Sequence, residues 1–297
     1  MKKQLKQIFL FVFLLLALII TILTIIAKPA ADHVFFSQFD DDQYPLVIAH
    51  AGSKLYPTDT LYALEQYANM GVDILEMDIH LTKDEHIILI HDDTVDRTTN
   101  GEGDVREMTL AEVKELDAGY KWTDDEGSTF PFRGQGITIP TLEEVFNTFP
   151  GYPMIVEIKQ ESPSMGIVLC ELLRKHNMQE KVMVPSFSDV AMTEFREACP
   201  ETSTAASTNE VKDFVYRNFA FLAGTISPKY QALQVPESRD GIPIVTKILL
   251  WAARLQNVEV HIWTINDPED MQRFIDMGVD GIMTDRTDLL LEVLGRN

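Results

Sequence analysis

The sequence predicts an α/β fold on a parallel sheet, set behind a single membrane-spanning helix. Three observations point there. Residues 8–27 are 20 consecutive positions in which only Thr21 and Thr24 are polar. From Leu46 onward, short apolar runs alternate with amphipathic helical stretches, the pattern of strand–helix units whose parallel strands are buried on both faces. Acids, imidazoles and an amine stand at the ends of several of these runs: His50, the step Glu76-Met77-Asp78, His91, and the step Glu157-Ile158-Lys159.

In chain order, residues 1–7 form a cytoplasmic tail and 8–27 the membrane anchor. As a helix the apolar run spans roughly 30 Å, the thickness of a bilayer's hydrocarbon core. Lys2, Lys3 and Lys6 precede it and only Lys28 follows closely, so the positive-inside rule keeps the N-terminus cytoplasmic and the rest outside. The rival reading is a cleaved signal peptide, whose apolar core usually runs about 7 to 15 residues. The longer run, with Pro29 where small residues should mark cleavage, favours the anchor. No cysteine follows the run to carry a lipid. Residues 28–44, with Asp40-Asp41-Asp42-Gln43, read as a tether, and 45–297 as one catalytic domain.

Strands are expected at 46–49, 73–81, 86–91, 153–159, 181–186, 202–206, 221–226, 258–264 and 280–284. Nine candidates exceed a closed eight-stranded barrel by one, so a segment between 202 and 235 should be irregular. Helical periodicity covers Thr60 to Asn69, Ser164 to His176, Ser188 to Ala198, Glu210 to Asn218, Ile244 to Leu255, Pro268 to Met277 and Thr287 to Leu294. Ser188-Asp189 and Asn266-Asp267-Pro268 supply N-caps and first-turn chemistry, and Gly71 and Gly278 end helices in left-handed geometry. The stretch from about 92 to 150 is too long for a plain connection. It holds one short helix, Thr109 to Leu116, and reads as an insertion that shapes a site.

The chain has 25 Lys and Arg, four of them the lysines named above, leaving 21 against all 46 acids from Pro29 onward. A surface that acidic argues against nucleic acid and against broad adhesion to anionic lipid. No obligate protein partner is evident. Cys170 and Cys199 lack metal-type spacing; they either pair in an oxidising compartment, or Cys170 stays a buried thiol on its apolar helical stripe.

These residues resemble the glycerophosphodiester phosphodiesterase family, within the phospholipase C-like TIM-barrel phosphodiesterases. The likeness rests on His50-Ala51-Gly52, Pro57-Thr58-Asp59-Thr60, Glu76-Met77-Asp78, His91-Asp92, Arg97-Thr98-Thr99-Asn100-Gly101, Glu157-Ile158-Lys159, Trp263-Thr264-Ile265-Asn266 and Gly278 to Asp285, spread from about Leu46 to Leu290. It implies a (β/α)8 TIM barrel with a small insertion after strand 3. It also implies one divalent cation on Glu76, Asp78 and Glu157, His50 and His91 as an acid/base pair, and Lys159 facing the phosphate. The activity implied is hydrolysis of glycerophosphodiesters to an alcohol and glycerol 3-phosphate, here on the outer side of the cytoplasmic membrane.

The residue types suit that chemistry. Glu76 and Asp78, two apart on a strand, share a face, and all-oxygen ligation suits Ca²⁺ or Mg²⁺ better than zinc. Two imidazoles that titrate near neutrality can accept and donate protons across one phosphorus. Lys159 shares its face with Glu157, as a phosphate anchor or a salt bridge. Trp263, at the end of a late strand, packs either on substrate or in the core. His80 continues the Glu76–Asp78 alternation and is a further candidate; His33, His86, His176 and His261 read as structural.

Two departures from the family pattern stand out. Ala51 replaces the arginine of a His-Arg-Gly motif and so removes a bidentate phosphate donor; either Lys54, Lys159 or Arg97 compensates, or the substrate headgroup differs. Pro57-Thr58-Asp59-Thr60 replaces Pro-Glu-Asn-Thr. These departures keep two alternatives open: a phospholipase C/D-type or lysophospholipase D-type activity on lipid, and a catalytically silent TIM-barrel binding module.

Overall fold

The computed structural model describes residues 2–51 and 54–296; Gly52 of the first motif lies outside them. The strands are β1 (Leu46–Ala49), β2 (Ile74–Leu81), β3 (Ile87–Leu89), β4 (Met154–Ile158), β5 (Val182–Val184), β6 (Ser203–Thr204), β7 (Ala232–Pro236), β8 (Ser238–Arg239), β9 (Ile242–Pro243), β10 (Glu259–Trp263) and β11 (Gly281–Thr284). The helices are α1 (Lys2–Ile26), α2 (Val34–Ser37), α3 (Leu61–Met70), α4 (Leu110–Lys114), α5 (Leu142–Thr148), α6 (Gly166–His176), α7 (Asp189–Ala198), α8 (Thr208–Phe219), α9 (Lys247–Leu255), α10 (Pro268–Met277) and α11 (Thr287–Val293).

Parallel strands run in the order β6-β5-β4-β2-β1-β11-β10-β7. The two ends meet through a parallel bridge between Ala205 and Ala232, with the Gln231 amide donating to the Thr204 carbonyl at 2.9 Å. The sheet thus closes on itself as a TIM barrel, as expected.

Strand alternation divides the apolar residues into two layers. Leu46, Ile48, Ile74, Ile155, Met183, Ala232 and Met283 fill the barrel interior, while Val47, Leu75, Met77, Val156, Val182, Leu233, Val260 and Ile282 pack outward under the helices. Gly281 is needed on the inner face, where an added Cβ would stand 2.8 Å from His261 and 3.0 Å from Ile48.

Two strand expectations are corrected. Residues 221–226 form a 3₁₀ turn at Ala223–Thr225, and the strand in that sector is β7. The 86–91 candidate is real as β3, yet it pairs antiparallel with β2 (Ile79 with Leu89, Leu81 with Ile87) and stays outside the barrel wall. The insertion begins there and has a core of its own around Ile88, Val95, Val105, Val113 and Ile139. Its short helix α4 is capped by Thr109 and Glu112 in a reciprocal box. A second helix, α5, follows with the same device at Thr141 and Glu144.

The segment expected as a tether lies against the barrel. The Ala30 amide donates to the Gln256 carbonyl at 2.7 Å, and Phe35 on α2 is fully buried among the interior residues, with Phe36 and Phe39 beside it. Burial of one such ring contributes about 2 kcal/mol. Cys170 on α6 and Cys199 at the end of α7, the pair the sequence left open, form a buried disulfide with Cα atoms 5.5 Å apart. Residues Gln4–Ile26 of α1 form an exposed apolar helix long enough to cross a membrane.

Candidate active site

The site is built by strand register. β2 and β4 pair in parallel with Asp78 opposite Glu157, which brings these carboxylates side by side on the inner face, one step above Glu76. One oxygen each from Glu76, Asp78 and Glu157 lies within 4.8 Å of the others. All three are buried or nearly so. The Ala51 amide donates to Glu76 Oε2 at 2.9 Å, so the residue that lacks the arginine side chain fastens a carboxylate through its backbone, in a turn with φ of +23°.

Asp59 settles the second departure from the family pattern. Its Oδ1 accepts the Asp78 amide at 3.2 Å, and it sits in the left-handed region at φ +54°. Burial first, and the Asp78 charge second, push its carboxyl up to about 8. Near neutrality Asp59 is then largely protonated, an uncharged group shaped like the asparagine it replaces.

Burial and the neighbouring Asp78 also raise Glu76 well above the usual carboxylate range and Glu157 to about 7. Lys159 answers part of this charge. Its ammonium stands 2.9 Å from Asp78 Oδ1 and 2.9 Å from Glu157 Oε1, ion-paired with both, and Asp78 Oδ2 is left without a hydrogen-bond donor. Burial opposes the ammonium, and Asp78 and Glu157 outweigh it and raise its pKa. Three buried acids around one ammonium leave buried oxygens short of positive charge, an arrangement that fits a hard divalent cation.

Two imidazoles face this cluster, each held from behind by a carboxylate. His50 continues β1, its amide donating to the Thr284 carbonyl. Its Nδ1 donates to Asp285 Oδ1 at 2.8 Å. Asn266 Nδ2 donates to Asp285 Oδ2 at 2.8 Å, while Asn266 Oδ1 accepts from the Asp285 amide and the Thr284 hydroxyl. Burial alone would lower His50, but the Asp285 hydrogen bond and the charges of Glu76, Asp285 and Asp78 push it up to about 9. His91, from the insertion, donates through Nδ1 to Asp92 Oδ1 at 2.7 Å, and Arg97 clamps Asp92 through Nε and a terminal nitrogen. In both pairs the Nε2 edge is left to the cavity.

His50, Glu76, His91, Glu157, Lys159 and Trp263 line one cavity of about 380 Å³ at the mouth of the barrel. Asp78 lies just below it, on Lys159. Trp263 packs on the interior residues and edge-to-face on exposed Phe187, 5.9 Å between ring centres, so its core and cavity readings both hold. Larger hollows of about 490 and 690 Å³ lie on the outer flank by Lys114 and Glu144, and beneath the barrel by Phe36 and Asp280. Neither holds a pair of imidazoles: His86 alone lines the first and His33 alone the second.

The other candidates separate. His80 is buried toward the insertion, near the His91 carbonyl, and does not line the cavity. His261 is fully buried inside the barrel, and burial pushes it down to about 3. Of the residues expected to replace the missing arginine, Arg97 is committed to Asp92 and Lys54 does not line the cavity, leaving Lys159.

Sequence reasoning missed Asp285, Asn266, Lys212 and Arg239. Asp285 follows the last strand, as His50 follows the first, and that shared position is the signal that could have found it. Lys212 on α8 and Arg239 on β8 line the cavity. β8 directly follows β7, which stands four places from β2 around the ring in either direction, across the mouth from the acids. Neither cation makes an ion pair among the described residues.

The sequence model of the glycerophosphoryl diester phosphodiesterase family matches residues 50–289. A glycerophosphodiester phosphodiesterase of Caldanaerobacter subterraneus subsp. tengcongensis is 34% identical over 258 residues, covering 84% of this chain and 97% of that protein. One from Bacillus subtilis is 30% identical, covering 84% and 86% respectively. Among solved structures, an Oleispira antarctica phosphodiesterase in complex with the product sn-glycerol-3-phosphate superposes with a TM-score of 0.67 at 24% identity, over 84% of this chain and 97% of that one.

Proposed function

Because the chain belongs to the glycerophosphoryl diester phosphodiesterase family, we propose that it hydrolyses glycerophosphodiesters to an alcohol and glycerol 3-phosphate with a divalent cation, Ca²⁺ or Mg²⁺. The observation that carries this reading is the convergence, in one cavity, of two carboxylate-backed imidazoles on a buried triad of acids. Glu76, Asp78 and Glu157 would hold the cation, which supplies positive charge to the phosphoryl oxygens when bound.

The chain's own groups do the rest. One imidazole takes the proton of the attacking hydroxyl, from water or from the substrate's own glycerol; in the second case water then opens the resulting cyclic phosphate to glycerol 3-phosphate. The other gives a proton to the alcohol oxygen as its bond to phosphorus breaks. Asp285 and Asp92 fix each ring so that Nε2 meets the reacting oxygens. Lys159 neutralises a phosphate oxygen from the wall of the site. The expected result in assay is turnover of a glycerophosphodiester that a chelator abolishes and that His50→Ala or His91→Ala reduces by roughly 10²- to 10⁴-fold. Full turnover in His50→Ala would overturn the proton-transfer roles.

Lys212 and Arg239 across the mouth favour diesters whose alcohol carries its own negative charge over those with a cationic choline. The exposed ring of Phe187 beside Trp263 favours a second reading, lysophospholipase D-type action with an acyl chain along that wall. Rates with glycerophosphocholine, glycerophosphoserine and a lysolipid separate these, the serine diester being expected to lead.

The domain lies outside the cytoplasmic membrane in this reading, anchored by α1 with its N-terminus inside. The lysine asymmetry around α1 and the Cys170–Cys199 disulfide support that side, since disulfides persist in oxidising compartments. Protease added to intact spheroplasts should remove the domain; protection would refute the topology.

A further inference from the structure

We propose that the flank made by α8, the turn after it and α9 is a membrane-resting face, seated in the interfacial layer of the bilayer that α1 spans. The proposal rests on α1 being a span. The described contacts then force the turn to the membrane boundary. α1 packs on the turn Ala223–Thr225, where a Cβ on Gly224 would lie 3.6 Å from Thr24 of α1. Two residues beyond the end of α1, the Lys28 amide donates to Ser227 Oγ at 3.1 Å.

From that point an apolar surface spreads over the two helices that pack on the turn and on each other. Tyr216 and Phe219 on α8, Phe221 in the turn, and Ile248, Trp251 and Leu255 on α9 are each between 49% and 80% exposed. On α9 the three recur at i, i+3 and i+7, one stripe, while Leu249, Leu250, Ala252 and Ala253 form the buried face. Soluble surfaces rarely leave so many large apolar side chains together in water.

Phe221 sharpens the case. It is 80% exposed and held at φ +58°, a left-handed conformation that bulky residues rarely adopt. The backbone is bent against its preference and yet no packing inside the barrel results. Tryptophan, tyrosine and phenylalanine are also the residues that settle at a membrane–water interface.

Charge agrees. Although the domain is strongly acidic, neither Phe219–Lys229 nor Lys247–Leu255 contains an aspartate or glutamate, and both carry lysine or arginine. The turn and α9 are thus acid-free, basic and aromatic, and on α8 the acid nearest Tyr216, Asp213, is ion-paired with Arg217; such a face suits a bilayer that contains anionic lipid. α8 begins at the cavity with Val211 and Lys212 and reaches this face at Phe219, roughly 10 Å further along its axis. The mouth is therefore set off from the lipid, open to diesters arriving from water.

The test uses the full chain in nanodiscs holding one chain each, made from phosphatidylcholine and phosphatidylglycerol with acyl chains brominated near the headgroup. Of the three tryptophans, Trp122 packs in the insertion and Trp263 at the cavity, so only Trp251 should lie within reach of bromine. Emission should fall relative to unbrominated discs in the wild type and not in Trp251→Phe, with turnover of a soluble diester unchanged. Equal responses in the two proteins, both embedded in discs, would overturn the proposal. A chain that fails to enter discs would instead remove the membrane-span reading, and the face with it.

Discussion

Replacing Asp285 by asparagine tests how His50 is held. The carboxylate hydrogen-bonds His50 Nδ1 at 2.8 Å and is the foremost influence raising the imidazole from 6.5 to about 9 against the opposing effect of burial. That rise corresponds to roughly 3 kcal/mol in favour of the imidazolium. Asp285→Asn keeps the shape and removes the charge, while burial remains. His50 should then titrate far lower, toward or below 6.5. The sign for stability follows from the raised value. In the wild type the contribution of this pair is fully present below 6.5 and is lost as pH rises through about 9; the variant should lack it. Turnover should fall by roughly 10²- to 10⁴-fold, the range for general acid–base catalysis, with about 10⁴ the loss when a catalytic histidine loses its orienting carboxylate. The assay is an NMR pH titration of the His50 ring in chelator-treated protein, joined to pH–rate curves. An unchanged His50 titration together with unchanged turnover would refute the argument that Asp285 positions this imidazole.

Other outcomes follow from the same geometry. Burial and the Asp78 charge raise Glu157 to about 7 and hold Glu76 well above the usual carboxylate range, so cation binding near pH 6 should release protons; calorimetry in buffers of different ionisation enthalpy reads this, and binding with no proton release would contradict it. Asp59→Asn should be nearly silent, whereas Asp59→Ala, which strips the Asp78 amide of its acceptor, should reduce kcat/KM at least tenfold, about 1.4 kcal/mol; equal effects of the two would count against the neutral-acid role. Cys170→Ser with Cys199→Ser opens a cross-link over 29 residues and should cost about 3.6 kcal/mol in denaturant unfolding, with no loss meaning that the pair is not bonded in solution.

Much of the site was legible because strand alternation is a local rule. Once Ile74, Leu75 and Ile79 mark a buried strand, Glu76 and Asp78 must share one face, and Glu157 and Lys159 follow on the next strand. What escaped depends on contacts that the sequence does not place side by side. Asp285 meets His50 across 235 positions, joined only because the first and last strands pair as the barrel closes. β7 went unseen for a different reason: Gln234 and Pro236 interrupt its apolar run, and both line the cavity. The residues that obscured the strand, one polar and one a proline, are the ones that face the site. Phe35 was hidden likewise, because the acidic stretch around Asp40 to Asp42 gives residues 28–44 the composition of a linker, although one aromatic turn is buried inside the barrel.

The central claim is that three inward carboxylates and two carboxylate-backed histidines make one cation-dependent phosphodiesterase site. The most direct measurement is release of glycerol 3-phosphate from glycerophosphoserine by the full chain, after chelation and then on titration with Ca²⁺ or Mg²⁺, beside Glu157→Gln. The account predicts turnover that vanishes on chelation, returns with the cation and stays absent in Glu157→Gln. Turnover that survives chelation, or a Glu157→Gln enzyme as active as the wild type, would contradict it.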